Sequence, residues 1–280
     1  RPEHIRGFTA WLARRHPFGT SARTTYAQVK PMLIAMSNLG LGPADVQRMF
    51  PIKAFSKSAE NRQSPKALSS AEVLRLAQAL KKDLVAIHRG EFVGPDSEAL
   101  VVSFLVVALR TGINTTPLLE ATRDCLSPNP LMPNMMVMRT FKRRGKGHQS
   151  NPMRQSAGNH STAVVPMDGV AVLRGVLART EQLSTAAPPT IRNRIWLYRS
   201  RSRHTPGALF ALSQSGLNAG VQWFVRRHGL LGDDGKPLTP TPNRLRKTME
   251  AKLWALSDGD LMAVAAAIGH TPDVADQHYS

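Results

Sequence analysis

Apart from Glu98 and Ser103, the stretch from Glu98 to Leu109 carries only apolar side chains. A helix that is apolar on every side is stable only when other elements surround it. The run is shorter than the ~18 apolar residues that mark a membrane-spanning helix. It therefore predicts a buried helix inside a sizeable core. No longer apolar run occurs, and no charged-then-apolar signal segment opens the sequence. A length of 280 residues allows one large domain or two smaller ones. Hydrophobic residues make up 42%, enough to fill a core, whereas 6% aromatics argue against a β-rich sandwich. The single cysteine, Cys125, excludes an internal disulfide framework and a multi-cysteine zinc site. It is expected as a small core residue, and the chain as a cytoplasmic protein of a reducing compartment.

Charge narrows the function classes. Thirty-seven Lys and Arg against 19 Asp and Glu leave +18, spread along the whole chain, with a pI near 11.1. Such a surface suits a polyanion, because each phosphate neutralised by Lys or Arg releases condensed counterions. A merely solubilising or ribosomal basic surface is the bland alternative. No basic stretch pairs with a strongly apolar helical face, so a membrane partner is not expected. His4, His16, His88, His204 and His228 show no metal-ligand spacing, and no Gly-rich phosphate loop is present. Neither metal nor cofactor is expected.

Residues 1–55 predict a small helical domain. Ile5, Phe8, Trp11 and Leu12 recur at helical spacing; so do Tyr26, Val29, Met32, Leu33 and Met36 between Thr24 and Leu39. Gly40 and Pro43 close that helix, and Ala44 to Phe50 predicts a third. Residues 56–65 are polar and rich in Ser, and form the expected linker. Residues 66–280 form the second domain. Its first helix has Ser69 or Ser70 as N-cap and Glu72 in the first turn. Asn134 to Phe141 and Ser161 to Met167 predict two strands, separated by a polar loop from Arg143 to His160. Helices are expected over Val170–Leu177, Gly216–His228, Arg244–Leu256 and Asp260–Ile268. The fold class is mainly α with a small β-sheet.

The densest chemistry lies in the last third. Asn243-Arg244-Leu245-Arg246-Lys247-Thr248 opens a helix, whose free N–H groups already favour an anion. Ile268-Gly269-His270 ends an apolar segment, and Tyr279, one of three tyrosines, follows nine residues later. The set resembles the tyrosine recombinases, or phage integrase family. Their second motif, His-x-x-Arg followed by His or Lys and Thr, matches Asn243 to Thr248. Their third, Leu-Gly-His and then Tyr, matches Ile268-Gly269-His270 and Tyr279. Ala67 to Val73 resembles the start of their catalytic domain, and Thr111 to Leu119 lies where they carry Thr-Gly-x-Arg before a Leu-rich helix.

The resemblance implies a helical core-binding domain followed by a recombinase-like catalytic domain, closing as a clamp on duplex DNA. It implies site-specific strand exchange, as in integration or excision of a mobile element, by a homotetramer associated with the bacterial nucleoid. Tyr279 would form a 3′-phosphotyrosyl bond and store the bond energy covalently. Arg246 would clamp a non-bridging phosphate oxygen. His270 would bond the same phosphate or help deprotonate the phenol, whose ordinary pKa is ~10. Lys142, with Lys146 second, would protonate the leaving 5′-oxygen, and Asn243 takes the motif's His position. Arg143, Arg144, Lys146, Arg244 and Lys247 are the expected DNA contacts. The family often carries a segment beyond its Tyr, so a continuation past Ser280 is expected.

One departure bears on activity. The family's first arginine falls on Asn114, and Arg110 stands one helical turn earlier. Loss of one phosphate-clamping cation compares with loss of an oxyanion donor, about 10²–10³ in rate. The alternative reading is therefore a weakened or inactive relative that binds DNA sequence-specifically. A type IB topoisomerase and a basic RNA-binding protein are more distant alternatives.

Overall fold

The computed structural model describes residues 2–16, 20–43, 45–51, 54–55, 66–143, 147–155, 168–258 and 260. They fall into two compact units, residues 1–64 and 65–280. The expected linker, the whole of the second predicted strand (Ser161–Met167), and the helix expected over Asp260–Ile268 beyond Asp260 lie outside the described residues. No helix among the described residues is long and apolar enough to cross a membrane.

The first unit holds α1 (Pro2–Arg15), α2 (Thr20–Asn38) and α3 (Val46–Met49). α2 begins a turn earlier than the periodicity predicts. It runs through Pro31 and ends before Gly40, which adopts a left-handed φ of 75°. Ile5, Val46 and Phe50 form the core, packed by Tyr26, Leu33, Ile34 and Met49. The Tyr26 ring stands edge-on to Phe50 at 5.9 Å and to Phe55 at 5.6 Å. Met32 and Met36, expected on the buried side, are exposed. The buried stripe of α2 follows Tyr26 and Leu33, seven residues apart, and the neighbouring helices cover only that stripe.

The second unit is built around α5 (Asp96–Thr111), the predicted buried helix. Every residue from Ala99 to Ala108 is buried, with α4 (Ser70–Arg89), α7 (Gly169–Arg179), α9 (Gln214–Arg227) and α10 (Pro242–Leu256) packed around it. α9 approaches so closely that a Cβ on Gly220 would lie 2.5 Å from a Val101 methyl. α4 is capped by Ser69, one of the two serines the sequence offered as N-cap, and the cap is reciprocal. Ser69 Oγ accepts from the Glu72 N–H, and Glu72 Oε2 accepts from the Ser69 N–H, both at 3.1 Å. Shorter helices α6 (Thr115–Leu119) and α8 (Glu181–Ala186) complete the helical set. Cys125 is buried, and burial foremost pushes its thiol pKa up to about 11.

Strands β1 (Leu126–Pro128), β2 (Met135–Lys142) and β3 (Gly147–Arg154) form an antiparallel sheet in that order. β2 lies where the sequence predicts a strand. β3 corrects the expectation, since it occupies the segment read as a polar loop. The misreading has a physical cause: the inward residues of β3 are Gln149, Asn151 and Met153, of which only Met153 is apolar. A second sheet, β4 (Leu197–Arg199) with β5 (Leu209–Ala211), was not expected, because each strand is only three residues long.

Candidate active site

α10 brings the central cation into place. Thr241 caps the helix, its Oγ1 accepting from the Arg244 N–H at 3.4 Å, and Pro242 occupies the first turn, where no N–H is needed. Leu245 is fully buried, and Arg246 follows it into the interior. The Arg246 Nε donates to Glu250 Oε1 at 2.8 Å, one turn along the same helix, and Nη1 donates to the Gly112 carbonyl at 2.9 Å. Gly112 ends α5 in the left-handed conformation, φ 62°, so its carbonyl points outside that helix's own ladder. Two acceptors thus fix a guanidinium that would be costly to bury without partners.

Lys142 closes β2 beside this group. Burial foremost, and the Arg246 guanidinium second, hold its ammonium below the usual lysine range. The repulsion from Arg246 shows that the two cations share one neighbourhood. The inward face of the β2–β3 hairpin grades toward them. Met136 lies opposite Met153, Met138 opposite Asn151, Thr140 opposite Gln149, and Lys142 opposite Gly147. Thr140, Gln149 and Asn151 are all buried. A buried arginine close enough to Lys142 to disfavour its charge makes a locally cationic site, which suits an oxyanion.

The other expected residues distribute unevenly. Asn243 is exposed on the first turn of α10. Asn114 is exposed at the N-cap position of α6, makes no side-chain cap bond, and lies two residues past Gly112. Arg110 points elsewhere: with Arg154, Asp168 and Lys252 it lines a cavity of about 840 Å³ that does not include Arg246. The Arg244 guanidinium turns inward. It donates to the Lys66 carbonyl at 3.0 Å, Thr239 Oγ1 at 3.3 Å and Glu72 Oε2 at 2.8 Å. Thr248 Oγ1 accepts from the Leu68 N–H at 2.9 Å and donates to the Arg244 carbonyl at 2.7 Å. These two motif residues therefore tie α10 to the start of the domain. Arg143 is ion-paired with Glu120, its Nε donating at 3.0 Å. Lys247 is half-buried on α10. Tyr279, His270, Arg144 and Lys146 lie outside the described residues. No group of three His, Cys, Asp or Glu able to hold a metal ion occurs among the described residues.

Sequence reading missed Glu250 and the Gly112 carbonyl. The i, i+4 spacing of Arg246 and Glu250 was visible, but a buried location was not.

The chain aligns with solved structures along most of its length. A Tn1549 transposon integrase in complex with circular intermediate DNA matches at a TM-score of 0.53 and 15% identity, over 99% of this chain and 82% of that one. The XerH site-specific recombinase bound to its difH substrate matches at 0.50 and 13%, over 76% of this chain and 49% of that one. The fold is that of the tyrosine recombinases. At these identities the likeness lies in the tyrosine-recombinase fold alone, and the chain spans about half the length of XerH. No family model matches the sequence, and no curated protein does.

Proposed function

We propose that the chain is a site-specific recombinase that cuts and rejoins duplex DNA through a 3′-phosphotyrosyl intermediate. The observation that carries this reading is the buried Arg246, fixed by Glu250 and Gly112 beside Lys142 within the tyrosine-recombinase fold.

In this reading the Tyr279 phenol loses its proton, with His270 assisting, and its oxygen attacks the scissile phosphorus. The P–O5′ bond breaks as the P–O(Tyr279) bond forms, and Lys142 gives its proton to the departing 5′-oxygen. Arg246 bonds a non-bridging oxygen, whose charge grows in the transition state. Rejoining reverses the steps with a 5′-hydroxyl of another strand, so no external energy source is needed. Asn243, at the mouth of α10, would donate its amide to the same phosphate. Arg143, Arg144, Lys146 and Lys247 would contact flanking phosphates. Arg244 is assigned to holding the domain together, because its donors are engaged within the fold. Integration or excision of a mobile element by a DNA-bound tetramer belongs to the same proposal.

A nicked duplex that traps the intermediate tests it. The wild-type chain is expected to form a covalent protein–DNA adduct that Tyr279→Phe abolishes; absence of the adduct from the wild type overturns the cleavage step.

A second reading is favoured by Asn114, uncharged and exposed where the family pattern places an arginine. There the chain binds its DNA site without cutting. The same assay separates the two, since duplex binding without adduct selects the binder.

A further inference from the structure

We propose that the β4–β5 hairpin is a further phosphate-contacting surface for duplex DNA, built from residues other than Arg246 and Lys142. The inference rests on the reading of the chain as a DNA-processing protein.

The first observation is charge. From Gln182 to Gly232 the sequence contains no Asp or Glu, yet it contains Arg192, Arg194, Arg199, Arg201, Arg203, Arg226 and Arg227. Solvated surfaces usually intersperse both signs. Two of these arginines, Arg201 and Arg203, lie with His204 in the connection between β4 and β5, and Arg199 ends β4 just before it. Residues 201–206 are all exposed, and no ion pair or hydrogen bond engages the side chains of Arg201 and Arg203 among the described residues. Like charges held this close repel one another, and a polyanion relieves that repulsion.

The second observation is order. The tip is braced by its own hydroxyls. Ser200 Oγ bonds Thr205 Oγ1 at 3.1 Å and accepts from the Ser202 N–H at 3.1 Å, and Ser202 Oγ accepts from the His204 N–H at 3.3 Å. The Gly207 N–H donates to the Ser200 carbonyl at 2.9 Å, with Gly207 at φ 75°, and Arg199 Nη1 donates to the Gly207 carbonyl at 2.9 Å. A guanidinium presented on a braced loop loses less freedom on binding than one on a free tail. Its planar fork also matches a phosphate better than an ammonium does.

The third observation is the mount. Ile195, Trp196 and Leu197, which lead into β4, are completely buried. The Trp196 Nε1–H donates to the Leu118 carbonyl of α6 at 2.6 Å. α6 starts just after Gly112, whose carbonyl holds Arg246. The hairpin is thereby held in fixed relation to the candidate active site through one short, buried path. Contacts there would add affinity for the duplex backbone without engaging the reacting phosphate.

The test is the salt dependence of binding to a duplex DNA oligomer, for the wild type and for Arg201→Ala/Arg203→Ala. With about 0.9 counterion released per phosphate, the variant is expected to lose about 1.8 from the slope of log K against log salt, and roughly tenfold or more in affinity near 0.1 M. Arg201→Lys/Arg203→Lys should retain most of the slope, which a purely structural role would not produce. At saturating protein, the adduct yield of the alanine variant on nicked duplex should match the wild type. An unchanged slope overturns the hairpin surface, as does tighter wild-type binding to an RNA duplex than to DNA. A lost adduct at saturation also overturns it, by placing the hairpin at the reacting phosphate. A wild-type chain that binds with this slope but never forms an adduct supports the hairpin and overturns only the cleavage reading.

Discussion

At one end of the β2–β3 hairpin Met136 lies opposite Met153 and both are buried; at the other, Thr140 lies opposite Gln149 and Lys142 opposite Gly147. Both ends turn toward the interior of the same domain. The methionine end does what an inward sheet face normally does, removing flexible apolar side chains from water. The polar end gives up that gain. It buries hydroxyl and amide groups and brings a lysine whose charged form is disfavoured there beside a buried arginine. Taking such groups out of water carries a desolvation cost that the apolar pair does not. The difference teaches where in the fold packing is the purpose and where it has been subordinated to chemistry.

The sharpest break of this contrast is Arg246→Ala. Removing one partner of a buried ion pair is expected to lower the unfolding free energy by about 3–5 kcal/mol, read from urea titration. Adduct formation at saturating protein should also fall by at least about 10²–10³. A variant as stable as the wild type would mean that the Arg246–Glu250 pair is well solvated. At the opposite end, Met138→Ala should cost about 2–5 kcal/mol through the cavity it leaves. Its adduct rate, measured well below the melting temperature, should change little. An equal loss of rate would show that the methionine end also shapes the site.

Lys142 offers a pH test with a definite sign. As a general acid it works protonated, and burial together with Arg246 makes it release its proton below the usual lysine range. Cleavage should therefore decline on the alkaline side at a pH below the ordinary ~10.4. Lys142→Arg should slow cleavage and remove that limb from the residual rate, because a guanidinium keeps its proton across this range. A limb at the ordinary lysine value would detach Lys142 from the reaction. The smallest effect is expected from Thr140→Val. Thr140 Oγ1 is buried and has no hydrogen-bond partner among the described residues. The apolar isostere should leave stability unchanged or raise it by up to about 1 kcal/mol, while phosphate-dependent adduct formation weakens. A clear loss of stability would instead show that the hydroxyl is satisfied.

Much of this architecture could be read before folding. The run from Glu98 to Leu109 announced the central helix, because no amphipathic placement exists for it. The Ser69-Ser70 pair with Glu72 marked where α4 begins, because capping is a local interaction, and the fold chose Ser69. Arg246 and Lys142 were expected from the family resemblance, and in the fold Arg246 lies close enough to disfavour the charge on Lys142. β3 escaped notice because its inward positions carry Gln and Asn, reversing the alternation by which a half-buried strand is recognised.

Local sequence therefore indicated the longer helices, a serine cap at the start of α4, and a large excess of cations. These depend on neighbours a few residues apart. Tertiary structure alone decided how two arginines on one turn of α10 would be used. Arg244 reaches back to Lys66 and Glu72, while Arg246 enters the interior against Gly112, more than a hundred positions earlier in the chain. Their side chains are identical, and only the long-range partners that desolvate and accept from each guanidinium distinguish a brace from a candidate phosphate clamp.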